Sequence, residues 1–194
     1  MALLLALLPV AALAGHGLLN SFNDLQWLPE PGRTPDQWHY PLDRWREHSA
    51  LLLAADSAAR LTLCLDYMRE KLAEAEAMVG KADQNAAIVA IENYRDYLAR
   101  AEALVDSTPN DSATTARLRL ARALLEHQYM LSVDYPDLAV APRAPLATLI
   151  DELGKTYTVL RGQLPRAQAQ GLFFKEEEVR WSWEMGRRAG ENRQ

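Results

Sequence analysis

Two apolar stripes joined by a short turn constrain this chain more than anything else in it. Leu61, Leu65, Met68, Leu72, Ala75 and Val79 recur at steps of 4, 3, 4, 3 and 4. After Gly80-Lys81-Ala82-Asp83 the same steps return at Ala87, Ile91, Tyr94, Leu98, Ala101 and Val105. Such spacing marks one face of a helix, and two stripes separated by so few residues must fold back as an antiparallel hairpin. A third seam follows at Leu146, Ile150, Leu153, Tyr157, Leu160 and Leu164, closed by Pro165. Each buried Leu, Ile or Val contributes roughly 1.5–3 kcal/mol, whereas isolated helices of this length are marginal in water. The stripes therefore need one another. The expected fold class is all-α: an antiparallel bundle of four to six helices with a long central hairpin.

The ends of these helices are written in cap residues. Asp56 and Ser57 are N-cap candidates for the first hairpin helix and Asp83 for the second. Gly80 occupies the place where a left-handed residue is wanted after a helix. An earlier helix starts near Pro41, which is accommodated where the missing N–H has no acceptor. A fourth runs from about 113 to 133 with Leu118, Ala121, Leu125 and Tyr129 on one face. Gly154 and Gly162 interrupt the third seam and permit close approach of a neighbouring helix. The segment from Lys175 onward also reads as a helix, with Phe174, Trp181 and Met185 on one face, because a lone strand would have no sheet to join. Glu176, Glu177 and Glu178 suit a solvated first turn at the positive end of the dipole.

Residues 2–14, ALLLALLPVAALA, contain no charge, and Ala12-Leu13-Ala14 fits a signal-peptidase site. The segment reads as a cleaved signal or, extended to residue 19, as an uncleaved anchor, with an ordinary buried segment as the third alternative. The first two place the chain outside the cytoplasm. The domain plan is 1–19 signal peptide or anchor, 20–40 strap, 41–165 helical bundle, and 166–194 C-terminal helix and tail. The strap holds Pro29, Pro31 and Pro35, which favour extended backbone, and is studded by Trp27, Trp38 and Tyr40, whose rings either pack onto the bundle or form an interfacial belt or partner surface.

Residues 72–79 and 98–105 match at six of eight positions, and Arg69 aligns with Arg95 on the same offset. Alanine-rich helices look alike, and no third copy follows, so a repeat array is not indicated.

Site chemistry is sparse. There is no phosphate-binding glycine loop, no G-x-S-x-G, no H-E-x-x-H and no C-x-x-C. No histidine follows a glutamate by three residues, as a di-iron bundle needs. Asp36, His39 and Asp43 are spaced like ligands, but Pro41 interrupts them and metal binding is not expected. The single cysteine, Cys64, lies among core positions and reads as a small buried hydrophobe. His127 reads as a surface residue. A net charge of −5 with no basic cluster argues against a nucleic-acid partner.

One resemblance emerges. Pro31-Gly32, then Tyr40-Pro41-Leu42-Asp43-Arg44, Glu47, Ala59-Arg60-Leu61 and the run Arg69-Glu70-Lys71-Leu72-Ala73-Glu74-Ala75-Glu76 stand in an order that resembles a bacterial family of extracytoplasmic helical domains, domain of unknown function 5667. The likeness covers about residues 31 to 105. A basic residue is usual in that family where this chain has Asp43. The resemblance implies a bacterial, extracytoplasmic, helical protein and carries over no functional residue.

The expectation is an exported or membrane-anchored structural or interaction module, not an enzyme, with no cofactor. It would contact a protein partner or membrane-complex subunit through Trp27, Trp38, Tyr40, Trp181 and Trp183, and a membrane through its N-terminal segment. The alternative is a ligand- or metal-binding bundle acting as an envelope sensor.

Overall fold

The computed structural model describes residues 22–23, 25–137 and 144–191. The apolar run at 2–14 lies outside these, as do the last three residues. Among the described residues there are seven α-helices and no strand. They are α1 (Tyr40–Leu53), α2 (Ser57–Gly80), α3 (Gln84–Asp106), α4 (Asn110–Asp134), α5 (Ala144–Gly162), α6 (Arg166–Gly171) and α7 (Phe173–Glu191). The all-α bundle stands as expected, with the six-residue α6 added after Pro165. No described helix is long and apolar enough to cross a membrane.

The hairpin α2–α3 makes the most extensive contact in the fold. Its stripes bury as the spacing predicts: Leu61, Met68, Leu72, Ala75 and Val79 on α2 face Ala87, Ile91, Tyr94, Ala101 and Val105 on α3. Asp56 Oδ1 accepts from Ala59 N–H at 2.7 Å, and Asp83 Oδ1 accepts from Ala86 N–H at 3.0 Å, so both N-caps form. α4 packs on the hairpin and on α5 and α7 at once. It is consequently buried on two sides, at Leu120, Ala121, Leu124, Leu125, Met130 and Leu131, which a single stripe did not foretell. α5 buries its seam, and Gly154 lets the Gln128 side chain approach where a Cβ would meet it at 3.3 Å. Gly162 has open space instead.

The turn between α2 and α3 departs from expectation. Gly80 is the last helical residue and is not left-handed; Ala82 takes the left-handed conformation, with φ of 57°. Ala82 N–H bonds to Val79 O at 2.9 Å and Asp83 N–H to Met78 O at 2.9 Å. That is a Schellman closure with alanine where glycine costs least. The glycine stands two residues too early, inside the helix, where a Cβ would meet nothing. We expect Gly80→Ala combined with Ala82→Gly to raise the unfolding free energy by about 1–2 kcal/mol, read by urea denaturation; a loss of stability would show that the turn is set by other contacts.

Candidate functional site

α1 is amphipathic in the wrong sense. Its buried residues are Tyr40, Asp43, Glu47 and Leu51, while Leu42, Trp45, Leu52 and Leu53 are exposed. The cause lies on α2, where five consecutive residues, Lys71, Leu72, Ala73, Glu74 and Ala75, are all buried. Lys71 and Glu74 sit one turn apart on the side away from the apolar seam, and α1 covers them with matching polar groups.

Lys71 Nζ lies 2.6 Å from Glu47 Oε1 and 2.6 Å from Glu74 Oε1, and all three side chains are fully buried. The other carboxylate oxygens are also partnered. Tyr97 O–H donates to Glu47 Oε2 at 2.5 Å, and Tyr40 O–H donates to Glu74 Oε2 at 2.9 Å. Asn93 Nδ2 donates in turn to the Tyr40 hydroxyl at 2.8 Å. Arg44 lies 3.7 Å from Glu47 and 3.5 Å from Asp96, with its guanidinium over the Tyr97 ring. α1, α2 and α3 each supply members, so the network ties all three helices at one point. Burial holds the Glu74 carboxyl well above the usual range, to about 7, against the opposing pull of Lys71. The Tyr40 and Tyr97 hydroxyls are pushed up by burial and their carboxylate neighbours, so both stay protonated donors.

An outer layer pins the strap. Asp43 pairs with Arg46 at 3.0 Å and with the strap's Arg33 at 3.7 Å. Lys81 reaches Asp36 at 2.8 Å, which lowers the Asp36 pKa, and Thr34 donates to Asp36. Arg69 grips Gln26 O at 2.6 Å and also Trp27 O. Its echo, Arg95, ties α3 to α5 through Glu152 at 2.8 Å. Asp43, Glu47 and Glu70 place carboxylate oxygens within 4.8 Å of one another. Positive charge is already in place there, from Lys71 on Glu47 and from Arg46 on Asp43.

A second acidic pair lies at the other end of the strap. Trp27, Pro29, Pro31, Glu76 and Asp134 line a groove of about 450 Å³. Burial and the neighbouring Asp134 carboxyl push Glu76 up to about 7.

The expected contact residues divide. Tyr40 is buried in the network and offers no surface, because its hydroxyl serves Glu74 and Asn93. Trp183 is half-buried, edge-on to Tyr135 with ring centroids 5.0 Å apart. Trp27, Trp38 and Trp181 are exposed, Trp38 at 88 %. The strap and α7 meet at Tyr129 of α4: Phe22 stacks on that ring at 4.3 Å, Trp27 tilts against it, and Lys175 of α7 caps Phe22 at 4.3 Å. Trp38 stands apart, beside α1. Phe174, Trp181 and Met185 do share one exposed face of α7. Asp36, His39 and Asp43 do not act together, since Asp36 and Asp43 have separate cationic partners. Glu176 is only partly solvated and pairs with Arg161 at 3.0 Å.

Cys64 is buried as expected, and burial raises its thiol pKa. His127 corrects the surface expectation. It is buried, its Nδ1 is 2.9 Å from the Tyr94 hydroxyl, and burial lowers its pKa to about 3, so the ring is neutral.

The model of a family described as a domain of unknown function, DUF5667, matches residues 32–132. No curated protein and no solved structure matches the chain.

Two outcomes test this electrostatic reading. Lys71→Met strands two buried carboxylates and should cost about 3–5 kcal/mol at pH 8. At pH 5 the loss should shrink, because the stranded groups take up protons; a loss independent of pH would mean that packing alone was removed. Glu76 binds its proton more tightly folded than unfolded, so its contribution is present below the ordinary carboxylate pKa and is lost as pH rises through about 7. Glu76→Gln should therefore stabilise by up to about 1 kcal/mol at pH 8 and leave stability unchanged at pH 4, by urea unfolding at each pH.

Proposed function

We propose, from the premise that the chain belongs to the DUF5667 family, that it is an exported or membrane-anchored interaction module of the bacterial cell envelope and performs no chemistry of its own. The observation that carries this reading is the division of its charged and apolar groups. The buried carboxylates of the network are consumed by Lys71, Arg44 and two tyrosines, in a dry interior closed to a substrate. The apolar groups left outside form ordered faces. Phe174, Trp181 and Met185 line the outer side of α7, next to the point where Phe22 and Trp27 bring the strap across Tyr129. Aromatic residues held on a rigid helix are the usual anchors of a protein interface. The apolar residues 2–14 support export or anchoring.

The test is site-specific photocrosslinking in living cells. A photoreactive phenylalanine in place of Trp181 should give a discrete adduct absent when the same group replaces Val89 on α3. Trp181→Ala should weaken capture of that partner by about tenfold or more, the effect of an interface anchor. Identical adduct patterns at the two positions would overturn this reading.

The convergence of Asp43, Glu47 and Glu70 keeps a metal-sensing reading in view. It requires a divalent ion to displace the arginine partners of Asp43. A rise in thermal midpoint with added metal, abolished by Asp43→Asn, would favour it; an unchanged midpoint would remove it.

A further inference from the structure

The outward face of α1 is not the α7 surface, and its chemistry is different. Leu42, Trp45, Ser49 and Leu52 follow steps of 3, 4 and 3, the spacing of a buried seam, yet Trp45 is 72 % and Leu52 82 % exposed. Trp38 extends the stripe before the helix and Leu53 widens it at the end. Both acidic residues of α1, Asp43 and Glu47, are turned inward, so the exposed residues of the helix include Arg46 and no carboxylate. The face thus lacks the exposed carboxylates that give the chain as a whole its net charge of −5.

Beside Leu52 the stripe runs into a groove of about 390 Å³ between α1 and the hairpin. Its floor is apolar, from Leu51, Cys64, Ala103 and Leu104. Its rim carries Arg60 of α2, Arg100 of α3 and His48 of α1. Arg100 lies 3.3 Å from His48 Nε2, and neither Arg60 nor Arg100 pairs with a carboxylate among the described residues. Asp56, one turn before Arg60, accepts from Ala59 N–H as the cap of α2. The groove falls in the size range of ligand sites.

We propose that α1 and this groove form a docking surface for an anionic phospholipid bilayer. Trp38, Leu42, Trp45, Leu52 and Leu53 enter the headgroup boundary, as an interfacial helix does with its apolar face. Arg60 and Arg100 take a lipid phosphate between their guanidiniums, and one acyl chain lies on the Leu51–Cys64–Leu104 floor. Charge complementarity selects this occupant. An apolar protein partner would leave two unpaired guanidiniums at the edge of a dry interface, whereas a bilayer supplies phosphate beside hydrocarbon at the same depth relation. The proposal shares with the preceding reading only its nearness to a membrane, and it uses a different helix, since α1 packs on α2 while α7 packs on α4.

The test mixes the full-length protein with vesicles of brominated phosphatidylcholine, with or without brominated phosphatidylglycerol, and reads tryptophan emission. Quenching should be stronger on the anionic vesicles, and Trp38→Phe combined with Trp45→Phe should remove most of that increment while Trp181→Phe leaves it. Each of Arg60→Gln and Arg100→Gln should lower the anionic-lipid dependence by about fivefold. Both side chains are exposed, so an unchanged thermal midpoint will show that these variants fold. Equal quenching on both lipids, or an increment that survives the double arginine substitution, overturns the proposal. So does a concentration-dependent dimer abolished by Trp45→Ser without any lipid dependence, which would assign the face to a second copy. Failure here leaves the Trp181 crosslinking result untouched, so the two readings fall separately.

Discussion

One ammonium group held between two buried carboxylates sets the arrangement around it. Lys71 lies between Glu47 and Glu74 with no solvent contact, and no member of that trio tolerates burial without the others. A lysine buried alone would give up its proton, and a glutamate buried alone would keep one. Together, with two tyrosine hydroxyls and Arg44 completing the oxygens, they match this side of α2 to the inward-turned acids of α1. The network also buries the rings of Tyr40 and Tyr97. Its effect is selective, because a hydrophobic α1 face in the same place would strand Lys71. It acts at the junction of the strap, α1 and the hairpin, whereas the rest of the bundle is held by ordinary seams on α3, α4 and α5.

The consequence is geometric. Because α1 must turn Tyr40, Asp43 and Glu47 inward, its leucines and tryptophan are turned out. An exposed apolar stripe of this kind is normally avoided on a soluble surface, and here it is enforced by polar interactions beneath it. The strap is fixed by the same logic, through Arg33 on Asp43, Lys81 on Asp36 and Arg69 on the backbone of Gln26 and Trp27. Two separate apolar surfaces are left exposed, the α1 stripe and the α7 face next to the strap.

Much of the scaffold was legible in the sequence. The three seams, the caps at Asp56 and Asp83 and the helical C-terminal segment follow from periodicity and local hydrogen bonding, both of which act over a few residues. The Gly80 turn was misread because glycine is the best left-handed residue but not an obligatory one, and the Schellman bonds fall two residues later. The network was not legible. Lys71 and Glu74 belong to a Leu-Ala-Glu run whose charges look like a solvated face, and only Glu47, on another helix, makes them buried. In α1 the pattern itself was present, with acids at 43 and 47 opposite apolar residues at 42, 45 and 52. Periodicity reports that two faces differ, and it does not report which faces in. His127 and Tyr40 were placed outside for the same reason, since their partners, Tyr94 and Glu74, lie more than thirty residues away in the chain.

The inverted orientation of α1 is the claim from which the surfaces follow, and hydroxyl-radical footprinting of the lipid-free protein tests it directly. Leu42, Trp45 and Leu52 should be oxidised at rates near those of the unfolded chain, while Tyr40 and Tyr97 are protected as strongly as Tyr94. Protection of Trp45 and Leu52 together with rapid oxidation of Tyr40 would mean that α1 packs by its apolar face, and the ionic account of this fold would be wrong.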